Sequence, residues 1–359
     1  MGRPRQRGLA DLLGRRVLHD LRRGFRDEAP PRRRAAQPAP KPRRAFAGGR
    51  SADHPGLPRA ARHAGTGSGT AVRCNGQERR CGDLNAINSQ EKSKPMNEEQ
   101  RYLFDLFGFL HLKAVLTPEQ LSAAAAAADR YIDGAAEDRP PEFKANGKGH
   151  AHGFAFDRAL EQLVFLPAVW PIVLELTNGK PMLASGTLMV DDPAIPSEAG
   201  PLHCARDDYG FESARYEVRH DRIYCDDFVV FPYLDDVHPG DGGLLVLPGS
   251  HKSEFDRPRH LFSNGLIEDE VPQGILNITP AAGDAIVMPE CMTHGILPWK
   301  PTDRRRRMLV LRYRPHHRQA GPIPDAVIQR LAPETRELVE SAHYTHRKDI
   351  AGKVRVELG

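Results

Sequence analysis

Cysteine is scarce in this chain of 359 residues, which contains only five. An odd number of widely spaced cysteines does not look like a disulfide framework, so we expect a reducing compartment, the cytoplasm. No run of about eighteen uncharged apolar residues occurs, which argues against a membrane span. The first residues also lack the apolar stretch of a secretory signal. Disulfide-rich secreted proteins and membrane-spanning proteins are therefore poor matches.

Residues 1–95 have few aromatic and few acidic side chains. Phe25 and Phe46 are their only aromatics, and they hold 22 of the 51 Lys and Arg but only 8 of the 47 Asp and Glu. This part therefore has a net charge of +14, and residues 96–359 have −10. A segment so rich in Arg, Pro and Gly cannot bury enough apolar surface to offset its chain entropy. We predict a disordered basic tail over residues 1–95.

Three interpretations of this tail remain open. It is a nucleic-acid-binding arm, an Arg-rich organellar targeting peptide, or an extension upstream of a true start at Met96, where globular patterning begins. In each case the folded domain covers residues 96–359. Nucleic acid is an expected partner only through the tail, and the sequence does not predict the oligomeric state.

Two helices are predicted at the start of the folded domain. Apolar residues recur with a helical period from Asn97 to Phe107, and Gly108 follows. The second helix begins after Thr117, because Thr117 and Gln120 have the spacing of a capping box. An alanine-rich run then extends this helix to Gly134.

Beyond about Pro181 short apolar runs, each bounded by Gly, Pro or Asp, replace the helical pattern. The predicted strands are Leu183–Val190, Phe228–Leu234, Gly243–Leu247, Ala285–Met288 and Met308–Tyr313. A closing helix is predicted over residues 323–341, interrupted or restarted at Pro333. This order predicts an α+β, mainly β domain, a sandwich or jelly roll braced by N-terminal helices.

Most of the sixteen histidines have simple explanations. Surface positions are expected for those in polar, loop-like segments, namely His150, His152, His316, His317, His343 and His346. Three others, His203, His251 and His294, stand at the edges of predicted strands, where a jelly roll turns side chains into its mouth. These three are the candidates for chemistry.

A string of short motifs occurs in a fixed order between Met96 and Arg318. After the opening helix come Pro201-Leu202-His203, Leu234-Asp235-Asp236-Val237, Gly240-Asp241-Gly242-Gly243, Leu247-Pro248-Gly249-Ser250-His251-Lys252, Ala282-Gly283-Asp284-Ala285, Thr293-His294-Gly295 and Arg306-Arg307. In this order they resemble the phytanoyl-CoA dioxygenase family of non-haem iron, 2-oxoglutarate-dependent oxygenases. The resemblance implies a double-stranded β-helix, which is a cupin-like jelly roll, with Fe(II) as cofactor and 2-oxoglutarate as cosubstrate.

The resemblance also implies roles for individual residues. Such enzymes bind Fe(II) through two imidazoles and one carboxylate on one face of an octahedron. His203, before one expected strand, and His294, after another, would supply the imidazoles, whereas His251 belongs to a loop that usually does not bind iron. Arg306 would bind the far carboxylate of 2-oxoglutarate with its planar fork. The three arginines adjacent to it are expected mostly in an exposed basic turn.

The sequence departs from the family pattern two residues after His203. The family usually has Asp or Glu there, but this chain has Ala205, and none of its sixteen histidines is followed at the second position by an acidic residue. Asp207 or Asp208 would complete an irregular triad by bending back, and we take Asp207 as the expected third ligand. A carboxylate from the loop of Asp235 and Asp236 is an alternative, although these are typical turn residues.

The expected reaction is hydroxylation of an unactivated carbon of a small-molecule or acyl substrate, with release of succinate and CO2. Ala205 also resembles the small residue of iron and 2-oxoglutarate halogenases, where a halide binds the metal. A non-catalytic ligand-binding jelly roll is a further alternative. The substrate itself is not predicted.

Overall fold

A computed structural model describes residues 96–195, 200–209, 214–255, 257–258, 271 and 273–358. The disorder predicted for residues 1–95 lies outside these ranges. The helices are α1 (Glu98–Phe107), α2 (Pro118–Asp133), α3 (Arg158–Glu161), α4 (Trp170–Leu176), α5 (Arg206–Tyr209), α6 (Asp325–Ile328) and α7 (Pro333–Val339). The predicted closing helix is thus two short helices, and the second begins at Pro333.

Helices α1 and α2 both begin at a capping box. The Gln100 amide donates to Asn97 Oδ1 at 2.7 Å, and the Asn97 amide donates to Gln100 Oε1 at 3.1 Å. Thr117 and Gln120 exchange the same two bonds at 3.2 and 3.0 Å. Helix α1 ends at Gly108, whose φ of 83° is left-handed and therefore favours glycine. Both predicted helices are confirmed.

The described residues form thirteen strands. They are β1 (Leu110–Leu112), β2 (Ala145–Asn146), β3 (Gly149–His150), β4 (Pro181–Asp191), β5 (Gly200–His203), β6 (Tyr216–Arg219), β7 (Arg222–Cys225), β8 (Phe228–Pro232), β9 (Gly243–Val246), β10 (Leu276–Asn277), β11 (Ala285–Pro289), β12 (His294–Leu297) and β13 (Arg306–Pro315). All five predicted strands are confirmed. Short strands with weaker patterns, including β5 and β12, were not predicted.

Antiparallel pairing arranges these strands, within the described ranges, in two main sheets and one hairpin. The larger sheet has the order β1-β11-β8-β13-β4-β3-β2, and the smaller one has the order β10-β9-β12-β5. Among the strands that the structure describes, β6 and β7 pair only with each other. Most neighbours in each main sheet are strands that are not consecutive in sequence, as a jelly roll requires. The predicted mainly β jelly roll with N-terminal helices is confirmed.

The larger sheet is apolar on both faces. Along β13, Met308 and Val310 belong to a cluster shared with the smaller sheet, whereas Leu309 and Leu311 belong to the cluster that contains the helices. Successive side chains of a strand point to opposite faces, so one strand serves both layers. The even-numbered positions of β13 therefore line the space between the two sheets. Arg306 is one of these positions.

Within the described ranges no single helix is long and apolar enough to cross a membrane. One bent pair of helical segments, residues 158–165 and 170–176, reaches the length and composition of a span only when its two halves are taken together.

Candidate active site

Two histidines meet at one end of the smaller sheet. His203 is the last residue of β5 and His294 the first of β12, and the two are paired in register with ring centroids 4.3 Å apart. The prediction that His203 precedes a strand was wrong, because His203 ends β5 and α5 follows it. His294 follows the predicted strand β11, as expected, and it also begins β12. The expected meeting of the two imidazoles nevertheless occurs, since β5 and β12 are neighbours in the sheet.

Backbone carbonyls fix the orientation of both imidazoles. The Nδ1 atom of His203 lies 2.8 Å from the Pro201 oxygen, and that of His294 lies 2.8 Å from the Met292 oxygen. A carbonyl oxygen only accepts, so each Nδ1 carries the hydrogen and each Nε2 keeps its lone pair. Neither Nε2 bonds to another described residue. This is the tautomer in which metal-binding histidines are usually held.

Burial favours the neutral form of His294, which is only 9% exposed. Loss of hydration lowers its pKa, and the neighbouring imidazole of His203 lowers it further. A neutral imidazole is the form that binds a metal ion. His294 is therefore suited to bind a cation at neutral pH.

Arg306 lies buried between the sheets. Its side chain is 2% exposed, and Nε donates to Asp191 Oδ2 at 2.8 Å while Nη2 donates to the same oxygen. Asp191 also pairs with Lys148 at 2.7 Å. The Nη1 atom is buried and has no hydrogen-bond partner among the described residues. A buried donor without a partner costs about 1–3 kcal/mol, so an acceptor at this point would be stabilising.

Gly243 and Tyr233 complete the surroundings of Arg306. A Cβ on Gly243, whose φ is 89°, would lie 2.2 Å from Arg306 Nη1. Any larger residue at this position would therefore clash with the guanidinium. The buried Tyr233 hydroxyl is close enough to Arg306 to interact electrostatically, and it too lacks a partner in the described part of the chain. The ring of Trp299 covers the guanidinium at 5.4 Å. The roles of Asp191, Tyr233 and Gly243 were not predicted, because no local sequence pattern marks them.

The separation between the imidazoles and Arg306 can be counted in residues along strand β9. Val246 is paired with His294, and Gly243, which contacts Arg306, is paired with Leu297. Three residues of strand correspond to about 10 Å. The interval suits a five-carbon diacid that is bound at its two ends.

The other arginines of the cluster point away from this space. Arg304 donates to Asp241, Arg305 binds Asp192 at 2.6 Å and Asp133 at 2.8 Å, and Arg307 binds Asp235 and Asp129. Arg304 and Arg305 are partly exposed, as expected for a basic turn. Arg307 is only 12% exposed and ties β13 to α2, so it does not belong to that turn.

The structure does not bring Asp207 to the two imidazoles. Its carboxylate accepts from the Cys204 amide at 3.0 Å and from Arg257 at 2.8 Å. Ala205 packs against the helix-side apolar cluster. Among the described residues no group of three His, Cys, Asp or Glu side chains could hold a metal ion, and Asp235 and Asp236 serve as acceptors in turns.

Three further histidines are buried. His251 is fully buried, its Nε2 lies 3.2 Å from the Asp105 oxygen, and its ring contacts Gly108, so it holds the loop to α1 rather than lying beside the imidazole pair. His150 and His316 are also buried, at 6% and 0% exposure. The prediction that these two lie at the surface was wrong, because tertiary packing covers segments that are polar in sequence.

Two facing antiparallel sheets, with an imidazole pair at one end and a buried arginine between them, define the class of cupin-like jelly-roll oxygenases. The family model of phytanoyl-CoA dioxygenase matches residues 104–307, more than half of the chain, and the chain belongs to this family. It is therefore an enzyme of the non-haem iron, 2-oxoglutarate-dependent dioxygenase type. Fe(II) and 2-oxoglutarate are its cofactor and cosubstrate.

Solved structures agree on the fold. HygX from Streptomyces hygroscopicus with nickel and 2-oxoglutarate bound matches with a TM-score of 0.51 and 21% identity, over 61% of this chain and 87% of that one. HygX with iron bound gives 0.50 and 20%, over 62% and 88%. No curated protein sequence matches the chain.

The donor chemistry of this chain fits the expected cofactor and cosubstrate. Two Nε2 lone pairs on adjacent strands suit a ferrous ion. The unpartnered Nη1 of Arg306 and the unpartnered hydroxyl of Tyr233 suit a carboxylate, which accepts several hydrogen bonds. What the described residues lack is the usual third protein ligand.

Proposed function

We propose that this enzyme hydroxylates an unactivated carbon of a small-molecule or acyl substrate, using iron held by His203 and His294 and 2-oxoglutarate held by Arg306. The observation that carries the proposal is the paired placement of the two imidazoles, 4.3 Å between centroids, with both Nδ1 atoms bound to carbonyls. Iron and 2-oxoglutarate, when bound, supply an oxidant that removes hydrogen from carbon, and succinate and CO2 are released.

In this proposal, the residues of the chain bind and orient the metal ion and 2-oxoglutarate. The Pro201 and Met292 carbonyls each bind one Nδ1 atom, so both Nε2 atoms would be available to the metal. Asp191 holds two nitrogens of Arg306 and leaves the third for the far carboxylate of 2-oxoglutarate. The apolar cluster between the sheets keeps water away from Arg306, which strengthens its contacts with Asp191.

Binding experiments on the full chain test the proposal. Calorimetric titration with Fe(II) under anaerobic conditions, followed by 2-oxoglutarate, should show one site for each. H203A and H294A should each weaken iron binding by at least about 100-fold, because each removes one of only two imidazoles. Failure of the unaltered chain to bind both partners, or unchanged iron binding in both variants, would reject the proposal.

Asp207 remains our proposed third ligand only if it leaves Arg257 when iron binds. D207N keeps the shape and the contact with the Cys204 amide but removes the charge. If Asp207 binds the metal, D207N should weaken iron binding by about tenfold or more. A change of less than about twofold would show that the two imidazoles act without it.

Ala205 supports a second candidate reaction, halogenation. No carboxylate among the described residues reaches the imidazole pair, so a halide is a candidate for the remaining position. Chloride or bromide should then tighten 2-oxoglutarate binding in the iron-loaded chain, and A205D should remove that effect. An effect of halide that persists in A205D would argue against this candidate.

A further inference from the structure

A second arginine lies on the inner face of β13. Arg306, Met308, Val310 and Arg312 alternate along the strand, and Met308 and Val310 belong to the cluster between the sheets. Arg312 is paired with Val229, another member of that cluster. Arg312 therefore belongs to the same face as Arg306, and six residues of strand place them about 20 Å apart.

The imidazole pair lies towards the Arg312 end of this space. Arg312 and Glu290 are both close enough to His294 to act on it electrostatically, whereas Arg306 is about three strand residues away from it along β9. The cosubstrate would occupy the interval between His294 and Arg306. The space on the other side of the imidazoles, where Arg312 lies, is left for the substrate.

Arg312 is held at one nitrogen only. Its Nε donates to Glu290 Oε1 at 2.7 Å, and its two terminal nitrogens bond to no other described residue. Glu290 is fixed in turn, because its amide donates to the Asp227 oxygen at 3.0 Å and its carbonyl accepts from Ala205 at 2.9 Å. In this pair the carboxylate side chain is 13% exposed and the guanidinium side chain 41% exposed. The free end of the arginine is thus the accessible part.

A cavity of about 230 Å³ lies at this point. Ser185, Arg312, Arg314 and the segment 321–323 line it. The register between β4 and β13 shifts between Arg312 and Tyr313, which leaves Ala184 as an extra residue, and such bulges redirect side chains at the rims of barrels. Arg314 differs from Arg312 because Asp227 and the Gln319 carbonyl engage all three of its nitrogens.

We propose that the two terminal nitrogens of Arg312 bind an anionic group of the substrate, a carboxylate or a phosphate. A planar fork with two unused donors matches two oxygens of either anion. This inference rests on the proposed function and adds a substrate class to it. Arg306 and Arg312 would then hold the two anions of the reaction, cosubstrate and substrate, from the same face of β13.

The test uses the full chain loaded with nickel(II) and saturating 2-oxoglutarate, so that binding is measured without turnover. Hexanoate, hexyl phosphate and uncharged hexan-1-ol are titrated calorimetrically. We expect one or both anions to bind more tightly than the alcohol, and R312Q to weaken the better anion by about tenfold or more. R312K keeps the charge but loses the fork and should recover only part of the affinity.

Arg130 supplies a control, because it is an exposed arginine paired with one carboxylate, Asp157, at 2.6 Å. R130Q should bind both anions as the unaltered chain does. Equal affinity of R312Q and the unaltered chain, or no preference for either anion over hexan-1-ol, would overturn the inference alone. If the nickel-loaded chain fails to bind 2-oxoglutarate, the proposed function fails as well, so the two failures are distinguishable.

Discussion

At the scale of single residues, the arginine site depends on the absence of a side chain at Gly243. Two glycines of the same turn allow this to be tested, since Gly240 has a φ of 93° and Gly243 one of 89°. A Cβ at Gly240 meets nothing within 4 Å, whereas a Cβ at Gly243 meets Arg306 Nη1. Alanine at either position therefore imposes similar backbone strain, but only one substitution disturbs the arginine.

We expect G240A and G243A each to lose about 1–2 kcal/mol of unfolding free energy from the left-handed backbone. Only G243A should also raise the KM for 2-oxoglutarate, by about tenfold, because it displaces Nη1. Chemical denaturation and succinate release measure the two effects. Equal KM values for the two variants would show that Gly243 matters only as a turn residue.

A second residue-scale prediction concerns pH. Burial lowers the pKa of His251 to about 4, helped by Lys252 and Arg206 and opposed by Asp105. In the unfolded chain its pKa is about 6.5. Between these values the unfolded state binds more protons, so His251 reduces stability as the pH falls.

This histidine should account for about 2 kcal/mol of the unfolding free energy lost between pH 7 and pH 5. Urea unfolding at the two pH values measures the loss. H251Q should be less stable at pH 7 but should show a smaller difference between the two pH values. The same difference in both proteins would mean that His251 is not the titrating group.

At the scale of elements, the capping box stabilises the start of α2, and this helix also binds Arg307. Arg307 Nη1 binds Asp129 of this helix at 2.6 Å. T117A should cost about 1 kcal/mol of unfolding free energy, because the Gln120 amide loses its acceptor. T187S, a Thr substitution outside any helix cap, is a control expected to have a smaller effect in the same denaturation experiment. A larger loss in the control would contradict the capping argument.

At the scale of the whole molecule, the proposed ligands join the two sheets. His203 and His294 belong to the smaller sheet, and Arg306 belongs to the larger one. Anything that binds the folded state alone stabilises it by mass action, by about 2.7 kcal/mol at a concentration of 100 times Kd. Nickel(II) with 2-oxoglutarate should therefore raise the Tm by several degrees.

The double variant H203A/H294A should lose most of this rise in Tm, whereas R306K should retain the part due to nickel alone. Differential scanning calorimetry with nickel, with 2-oxoglutarate and with both separates the contributions. A rise of equal size in the double variant would place the metal elsewhere in the chain.

Local sequence determined much of this protein, namely the capped helices, the long strands, the jelly roll and the identity of His203, His294 and Arg306 as candidates. The helices and strands depend on periodicity and capping, which act over a few residues, and the candidate residues depend on the order of short motifs along residues 96–318. Tertiary structure alone decided that β5 and β12 are neighbours, that Asp191 holds Arg306 and that Asp207 binds Arg257. It also decided that the terminal nitrogens of Arg312 bond to no other described residue. Those facts depend on strand register and on burial, which bring together residues separated by about a hundred positions and which no short stretch of sequence encodes.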